Sequence, residues 1–251
     1  LDDVVLSCGG IVHRLARGGA RVLVVTFFAG SPSDDAITPF ALELKERWGN
    51  AEDPVAVRRE EDMEAVRAIG AQALHLPFLD CVYRQDAARQ VAYYPTVEHI
   101  FADVHPAEAG LPQALLAELQ SRLPRLAAAT IFAPLSAGHH VDHILVLQMA
   151  LALLKGGHKV LFYEDYPYAG KADVLEAALV SWPGYCWSRE TIILDEADLQ
   201  AKGRGVACYA SQISTFWKSA QEMLDALRAQ ALAVGQGPLG ENLWQLRPQC
   251  L

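Results

Sequence analysis

Residues 130–155 read TIFAPLSAGHHVDHILVLQMALALLK and join three kinds of sequence in one stretch. The run 130–134 is apolar and of strand length, and a polar segment follows it. The apolar segment after that ends at Gly156 and Gly157, which predicts a helix over 141–155. The stretch therefore predicts a strand, a polar turn and a helix, which is the repeating unit of an α/β fold.

The same alternation of strands and helices extends along the chain on both sides of this stretch. Strands are predicted at 21–28, 73–76, 159–163 and 190–194, and helices at 2–16, 54–69, 113–122, 196–211 and 215–234. Repeated strand–helix units form a mostly parallel sheet with helices on both faces. We therefore expect an α/β fold, a Rossmann-like three-layer sandwich with a mostly parallel central sheet, in which residues 1–251 form a single domain.

Residues 84–111 interrupt this alternation, because they show neither a helix period nor a strand period. A structureless stretch of that length inside a compact domain is usually an active-site loop or lid. We expect residues 84–111 to be such a lid.

Composition and charge exclude several classes of function. The formal net charge of −9 argues against nucleic-acid binding, because that binding depends on Lys and Arg neutralising phosphates. No uninterrupted apolar run reaches 18 residues, so no membrane span is expected. The five cysteines are scattered and form no Cys-x-x-Cys pair, which predicts reduced thiols in a cytoplasmic protein.

Two polar clusters lie where helices are predicted to begin. Asp2 and Asp3 open the first helix, and residues 139–143 (HHVDH) open the helix after the strand at 130–134. Ligands of open parallel sheets bind beyond the carboxyl ends of the strands, so both clusters are expected at one rim. Carboxylates and imidazoles that converge from separate elements suit a zinc site. The alternative is that the aspartates only favour a helix N-terminus and that the histidine spacing is incidental.

Three motifs in this order resemble the LmbE/PIG-L family of metal-dependent N-deacetylases. Residues 1–10 (LDDVVLSCGG) are similar to the family's first motif, which is His-Pro-Asp-Asp or His-Leu-Asp-Asp followed by an apolar helix and Gly-Gly. Residues 58–61 match its Arg-x-x-Glu helix, and residues 140–143 (HVDH) match its His-x-Asp-His motif. Residues 78–80 (FLD) fall where members carry an aspartate at the substrate site. The resemblance spans essentially the whole chain and weakens after Leu194.

The resemblance implies a role for each matching residue. Asp3 and His143 would bind the metal, together with a histidine expected just upstream of Leu1, where the first strand is also expected. Zinc is the expected metal, and another divalent ion would suit the same ligands. Asp2 would be the general base for the attacking water, because a carboxylate outside the metal site is needed to accept its proton.

The resemblance also implies a role for His140. It would stabilise the tetrahedral oxyanion or protonate the departing amine, with Asp142 orienting its ring. Some members carry a tyrosine two residues before His140, where this chain has Gly138. Two interpretations of His139 stay open: it replaces that missing donor, or it is an exposed loop residue.

Further polar residues are expected to bind the substrate. Arg58 either reaches substrate hydroxyls or forms an ion pair with Glu61 that holds the helix. Asp80 and Arg84 flank a strand exit, where they are placed to hydrogen-bond a sugar. Residues 164–168 (EDYPY) follow another predicted strand and are expected at the same edge, as a weaker candidate. A solvated turn is the favoured interpretation of this segment.

We therefore expect a zinc-dependent hydrolase that removes an N-acyl group, above all acetyl, from an amino sugar or a small glycoconjugate. The alternative is a non-catalytic Rossmann-like module that binds a sugar or a nucleotide. The residue that precedes Leu1 discriminates the two, since a histidine supports the hydrolase. The sequence names no specific substrate and leaves a homo-oligomer open.

Overall fold

The protein is described by a computed structural model that covers residues 1–33, 37–47, 51–181 and 185–248. Helices and strands follow one another along the chain, so the α/β class is confirmed. The chain packs as two compact units, which are described separately below. The first unit comprises Leu1–Pro95 and Thr191–Glu241, and the second comprises Thr96–Glu190 and the residues from Asn242 onward.

The elements of both units are numbered in chain order. They are α1 (Asp3–Arg17), β1 (Leu23–Thr26), α2 (Pro39–Arg47), α3 (Pro54–Ala68), β2 (Gln72–His75), β3 (Gln85–Asp86), β4 (Val91–Ala92), α4 (Val97–Ile100), α5 (Leu111–Arg122), β5 (Thr130–Pro134), α6 (Val141–Lys155), β6 (Lys159–Tyr163), α7 (Ala172–Val180), β7 (Tyr185–Ile193), α8 (Glu196–Ala207), α9 (Ala210–Phe216), α10 (Ala220–Gly235) and β8 (Gly240–Pro248).

Helix α8 is the centre of the first unit, because α1, α3 and α10 all pack against it. Strands β1 and β2 are parallel neighbours, with Thr26 opposite His75. Helix α3 begins where the sequence predicts, since the Asp53 side chain accepts a hydrogen bond from the amide of Ala56 and Pro54 occupies the first turn. These helices and strands hold the polar residues that follow β2 and those that open α1.

Helix α1 is interrupted at Cys8, whose φ of −131° and ψ of 24° are not helical. The Glu241 carboxylate accepts hydrogen bonds from the amides of Gly10 and Ile11, at 3.2 and 2.8 Å. The Nζ atom of Lys202 lies 2.7 Å from the same carboxylate, and both side chains are buried. A buried, paired carboxylate thus caps the second part of the helix that Asp2 and Asp3 open.

The second unit contains a four-stranded sheet in the order β5-β6-β8-β7. Strands β5 and β6 are parallel, with Pro134 opposite Tyr163, so both end at the same edge. Strand β8 runs antiparallel to β6. Helix α5 packs against α6, whose bounds are those predicted from the sequence.

The prediction of a mostly parallel central sheet is not confirmed, because the sheets are small and mixed. Beyond the four-stranded sheet, β1 pairs with β2 and β3 pairs with β4. Strand β8 was not predicted, since Glu241 and Asn242 are residue types depleted in strands, although both are buried here. The sequence also did not predict α2, α7 or the β3–β4 hairpin.

Residues 84–111 contain short elements in place of the predicted structureless stretch. They include the two-residue strands β3 and β4 and the four-residue helix α4. Elements of this length are too short to produce a readable period. A role of this segment as a lid stays a prediction.

No helix in the described ranges is long and apolar enough to cross a lipid bilayer. The cysteines that the structure describes carry free thiols, namely Cys8, Cys81, Cys186 and Cys208. Cys250 lies outside the described residues.

Candidate functional site

Asp2 and Asp3 stand at the first turn of α1, as predicted, but Asp2 does not act as a helix cap. Its φ of 87° lies in the left-handed region, which non-glycine residues seldom adopt, and its side chain makes no capping hydrogen bond. Strained backbone of this kind persists where the surrounding structure holds it, and it is concentrated at functional sites. The capping interpretation of Asp2 is therefore wrong, which leaves its carboxylate available for other contacts.

Arg58 brings two of the predicted aspartates together in the first unit. Its guanidinium lies 3.9 Å from the Asp2 carboxylate and 3.9 Å from the Asp80 carboxylate. The side chains of Arg58 and Asp2 are each 12% exposed. A role of Arg58 in reaching substrate hydroxyls stays a prediction. Glu61 accepts hydrogen bonds from the amide and hydroxyl of Ser211, at 2.8 and 2.6 Å.

The surroundings of Asp2 change its acidity. Burial, with the negative charge of Asp3, raises the pKa of Asp2 to about 7, although Arg58 acts in the opposite direction. A carboxyl with a pKa near neutrality exchanges its proton at ordinary pH, which is what a general base requires.

Asp80 and Arg84 flank a tight 3₁₀ turn at Cys81–Tyr83. The Asp80 side chain accepts a hydrogen bond from the amide of Val82, at 3.2 Å. Arg84 is 8% exposed, and its guanidinium donates to the carbonyl of Leu79 at 3.0 Å.

Two aromatic rings flank the same guanidinium, those of Phe28 at 4.9 Å and Tyr94 at 5.5 Å from its central carbon. Cation–π contacts of this kind favour a guanidinium that stays in place. Arg84 is thus held against the segment that carries Asp80 through the carbonyl of Leu79.

His140, Asp142 and His143 open helix α6 in the second unit. His140 is the residue before the first helical turn, and its Nδ1 atom accepts a hydrogen bond from the amide of Asp142 at 3.3 Å. The rings of His140 and His143 have centroids 5.2 Å apart, so the two side chains point to the same side, as predicted. The Asp142 side chain is 6% exposed.

Sequence reasoning placed Asp165 in a weaker candidate segment, residues 164–168, and did not single it out. It is 1% exposed, and its Oδ1 atom lies 2.7 Å from Nδ1 of His143. Its Oδ2 atom accepts a hydrogen bond from the amide of Ala137 at 2.9 Å. The simpler interpretation of residues 164–168 as a solvated turn is therefore wrong at Asp165. The signal that could have found it is an acidic pair directly after β6, at the edge where β5 also ends.

The turn between β5 and α6 has an unusual backbone. Ser136, Gly138 and His139 all have positive φ, at 62°, 93° and 63°. An ideal Cβ atom on Gly138 would lie 2.5 Å from Cγ of Tyr168, so the aromatic ring occupies the space next to this glycine. Phe101 makes edge contacts with both Tyr168 and His140, at centroid distances of 5.7 and 5.4 Å.

His139 lies on the outside of the same turn. Its side chain is 56% exposed, and its Nε2 atom lies 3.5 Å from the Asp103 carboxylate. The structure therefore favours the interpretation of His139 as an exposed loop residue.

Comparison with known proteins identifies the family of the chain. The family model described as GlcNAc-PI de-N-acetylase (PIG-L) matches residues 1–154. The chain belongs to the PIG-L family. The resemblance of the sequence motifs to the LmbE/PIG-L proteins is thus confirmed.

Two curated relatives of this PIG-L protein are both named 2'-N-acetylparomamine deacetylase. The one from Niallia circulans is 32% identical over 184 residues, which are 66% of this chain and 64% of that protein. The chain therefore spans slightly less than two thirds of that relative. The one from Streptomyces fradiae is 30% identical over 219 residues, which are 84% of this chain and 70% of that protein.

The fold of this PIG-L protein is also similar to that of solved structures. A crystal structure of the zinc-inhibited form of teicoplanin deacetylase is 27% identical, with a TM-score of 0.85 over 99% of this chain and 95% of that chain. The named relatives and this neighbour are all deacetylases.

Proposed function

We propose that the chain is a metal-dependent N-deacetylase that removes an acetyl group from an amino sugar or a small glycoconjugate. Family membership and the names of the relatives support the reaction class. The observation that carries the proposal is the 2.7 Å contact between Nδ1 of His143 and the buried Asp165. A histidine that binds a metal through one ring nitrogen is usually held by a carboxylate through the other.

The donor types of the expected ligands suit a divalent metal. Asp3 and His143 would hold it, the latter through Nε2 because Nδ1 faces Asp165, and the resemblance adds a histidine expected just upstream of Leu1. Imidazole with carboxylate oxygen is the donor set of catalytic zinc sites. A metal bound there lowers the pKa of a water and polarises the amide carbonyl. Zinc is our proposal because this donor set suits it, and another divalent ion would suit the same ligands.

Asp2 and His140 would handle the protons of the reaction. Asp2, with its pKa near 7, accepts the proton of the attacking water. His140 accepts a hydrogen bond at Nδ1, so its neutral ring carries the proton on Nε2. From that atom the ring donates to the oxyanion or, when protonated, to the departing amine. The backbone amide of Asp142 donates to Nδ1 of His140 and so holds the ring in place.

Arg58 and Asp80 would bind the sugar. A guanidinium offers donors and a carboxylate offers acceptors, and adjacent sugar hydroxyls use both. Arg84 remains in the proposal as the support of Asp80, because its guanidinium is buried and donates to the carbonyl of Leu79.

Several finer points belong to the same proposal. They are the Rossmann-like arrangement of a single domain over residues 1–251, a cytoplasmic location and the choice of zinc. The alternative, a non-catalytic sugar- or nucleotide-binding module, has less support, because the named relatives are enzymes.

The proposal is tested by measuring amine release from 2'-N-acetylparomamine and N-acetylglucosamine with the full-length protein. His143→Ala should lose both the metal and the activity. His139→Asn is the matched control, since His139 lies in the same turn, is exposed and has a positive φ that asparagine tolerates. No hydrolysis of either compound, together with equal zinc contents in wild type and His143→Ala, would overturn the proposal.

A further inference from the structure

Tyr83 is a buried phenol whose hydroxyl has no hydrogen-bond partner among the described residues. The side chain is 2% exposed, and the Oη atom is out of contact with solvent. Leaving a buried hydroxyl without a partner costs about 1–3 kcal/mol, so native proteins seldom do so without a functional reason.

Tyr209, in the same unit, is a buried tyrosine whose hydroxyl does have a hydrogen-bond partner. It is also 2% exposed, but its hydroxyl donates to the Asp62 carboxylate at 2.7 Å. The ring of His75 binds the other oxygen of Asp62, also at 2.7 Å. The two tyrosines are equally buried, but the protein supplies a hydrogen-bond partner for the hydroxyl of Tyr209 and none among the described residues for that of Tyr83.

The surroundings of Tyr83 are those of the polar cluster around Arg58. Tyr83 ends the 3₁₀ turn that Asp80 caps, and its amide donates to the carbonyl of Asp80 at 3.0 Å. The Asp80 carboxylate lies 3.9 Å from the guanidinium of Arg58. Burial, with the charge of Asp80, raises the pKa of Tyr83 to about 12, so the phenol stays neutral and keeps its proton at physiological pH.

This set of groups matches the chemistry of a sugar ring. A neutral phenol donates one hydrogen bond and accepts others, the carboxylate accepts and the guanidinium donates. Adjacent ring hydroxyls require donors and acceptors side by side. In contrast, Arg58 would repel a cation and Asp80 would repel an anion.

We propose that the hydroxyl of Tyr83 is the binding partner of a ring hydroxyl of the substrate, so that the partner missing in the protein is supplied by the sugar. The inference rests on the proposed function and adds to it a residue that selects amides carried on a polyhydroxylated ring.

Tyr83→Phe tests this with two substrates that share the acetamide and differ in the ring. N-acetylglucosamine carries ring hydroxyls, and N-cyclohexylacetamide carries none. We expect kcat/KM of the variant to fall about tenfold for the sugar, mainly through KM, and to stay unchanged for the cyclohexyl amide. An equal fall for both, or no fall for the sugar, would overturn the proposal.

Stability provides a second measurement that does not depend on catalysis. Tyr83→Phe should melt at the same temperature as the wild type or roughly 1–3 °C higher, because it removes a polar atom without a partner. Tyr209→Phe, the control, should melt lower, because Asp62 loses a hydrogen bond. Glucosamine binding, measured by calorimetry, should weaken in Tyr83→Phe.

These measurements separate the two ideas. If the wild type hydrolyses neither amide, the proposed reaction fails, and the glucosamine affinities still decide whether Tyr83 binds a sugar. A Tyr83→Phe variant that melts as low as Tyr209→Phe, with unchanged glucosamine binding, would show a purely structural phenol and overturn the inference.

Discussion

His143 in the second unit and Asp2 in the first have opposite kinds of surroundings. His143 is held by a buried carboxylate at 2.7 Å, and that carboxylate also binds the turn before α6. Asp2 is crowded by a second carboxylate, and its pKa is raised to about 7. The first arrangement fixes a ring in one orientation, as a metal ligand requires. The second keeps a proton exchangeable, as a base requires.

The largest expected effect on turnover comes from replacing the two adjacent aspartates one at a time. Asp2→Asn should retain zinc and lose about two to four orders of magnitude in turnover, which is the usual contribution of a positioned base. Asp3→Asn should lose the zinc. Metal analysis and single-turnover rates on both variants measure this. If Asp2→Asn loses zinc while Asp3→Asn keeps it, the two roles are reversed.

Much of this contrast could be predicted from local sequence, and part of it could not. The bounds of β5 and α6 follow from an apolar run and from Gly156-Gly157, so the positions of His140 and His143 were predictable. The partner of His143 was not, because Asp165 lies 22 residues further along the chain and comes close to His143 only through the parallel pairing of β5 and β6.

The other site residues show the same limit. Asp2 was expected at the start of α1, but its positive φ depends on the packing around it. The contact between Tyr168 and Gly138 joins separate loops, and no spacing rule predicts it. The small, mixed sheets were missed for a related reason, since β8 carries buried polar residues such as Glu241 whose partners lie elsewhere in the chain.

The second prediction uses the raised pKa of Asp2 in the metal-free protein. The folded state holds the proton of Asp2 more tightly than the unfolded state does. The contribution of this proton to the free energy of unfolding is therefore present at pH 4 and is lost as the pH rises towards 7. Asp2→Asn removes that loss. The variant should match the wild type near pH 4 and exceed it by roughly 2–4 kcal/mol at pH 8.

Urea unfolding in the presence of a chelator measures this difference. Asp62→Asn is the opposite case. Burial acts to raise the pKa of Asp62, but hydrogen bonds from His75 and Tyr209 outweigh it and leave the pKa lowered. Asp62→Asn should therefore lose more of the free energy of unfolding, relative to the wild type, at pH 7 than at low pH. A stability of Asp2→Asn that exceeds the wild type equally at every pH would contradict the raised pKa.

The third prediction concerns Asp165, which holds the ring of His143 in place. Asp165→Asn should weaken zinc binding by at least about tenfold, because asparagine has one acceptor oxygen where Asp165 uses two, one for His143 and one for the amide of Ala137. Glu164→Gln is the matched control. Glu164 precedes Asp165 and accepts hydrogen bonds from Asn242 and Trp244. Competition with a chelator gives both affinities, and an equal loss in the two variants would argue against a specific role of Asp165.

The smallest expected effect tests whether Tyr168 holds the turn that carries His140. Gly138→Ala meets the Tyr168 ring at 2.5 Å and has a φ of 93°, whereas Gly157→Ala has a similar φ of 86° and no atom within 4 Å. Both variants pay for the left-handed backbone, so the difference between them isolates the contact with the ring. We expect Gly138→Ala to be less stable than Gly157→Ala by about 1–2 kcal/mol, as for other overpacked sites. In a Tyr168→Ala background that difference should shrink, because the ring is gone and only the Cβ atom of residue 168, at 2.9 Å, remains. If it is unchanged, the Tyr168 ring does not hold the turn, and other contacts, such as that of Asp165 with the amide of Ala137, would have to do so.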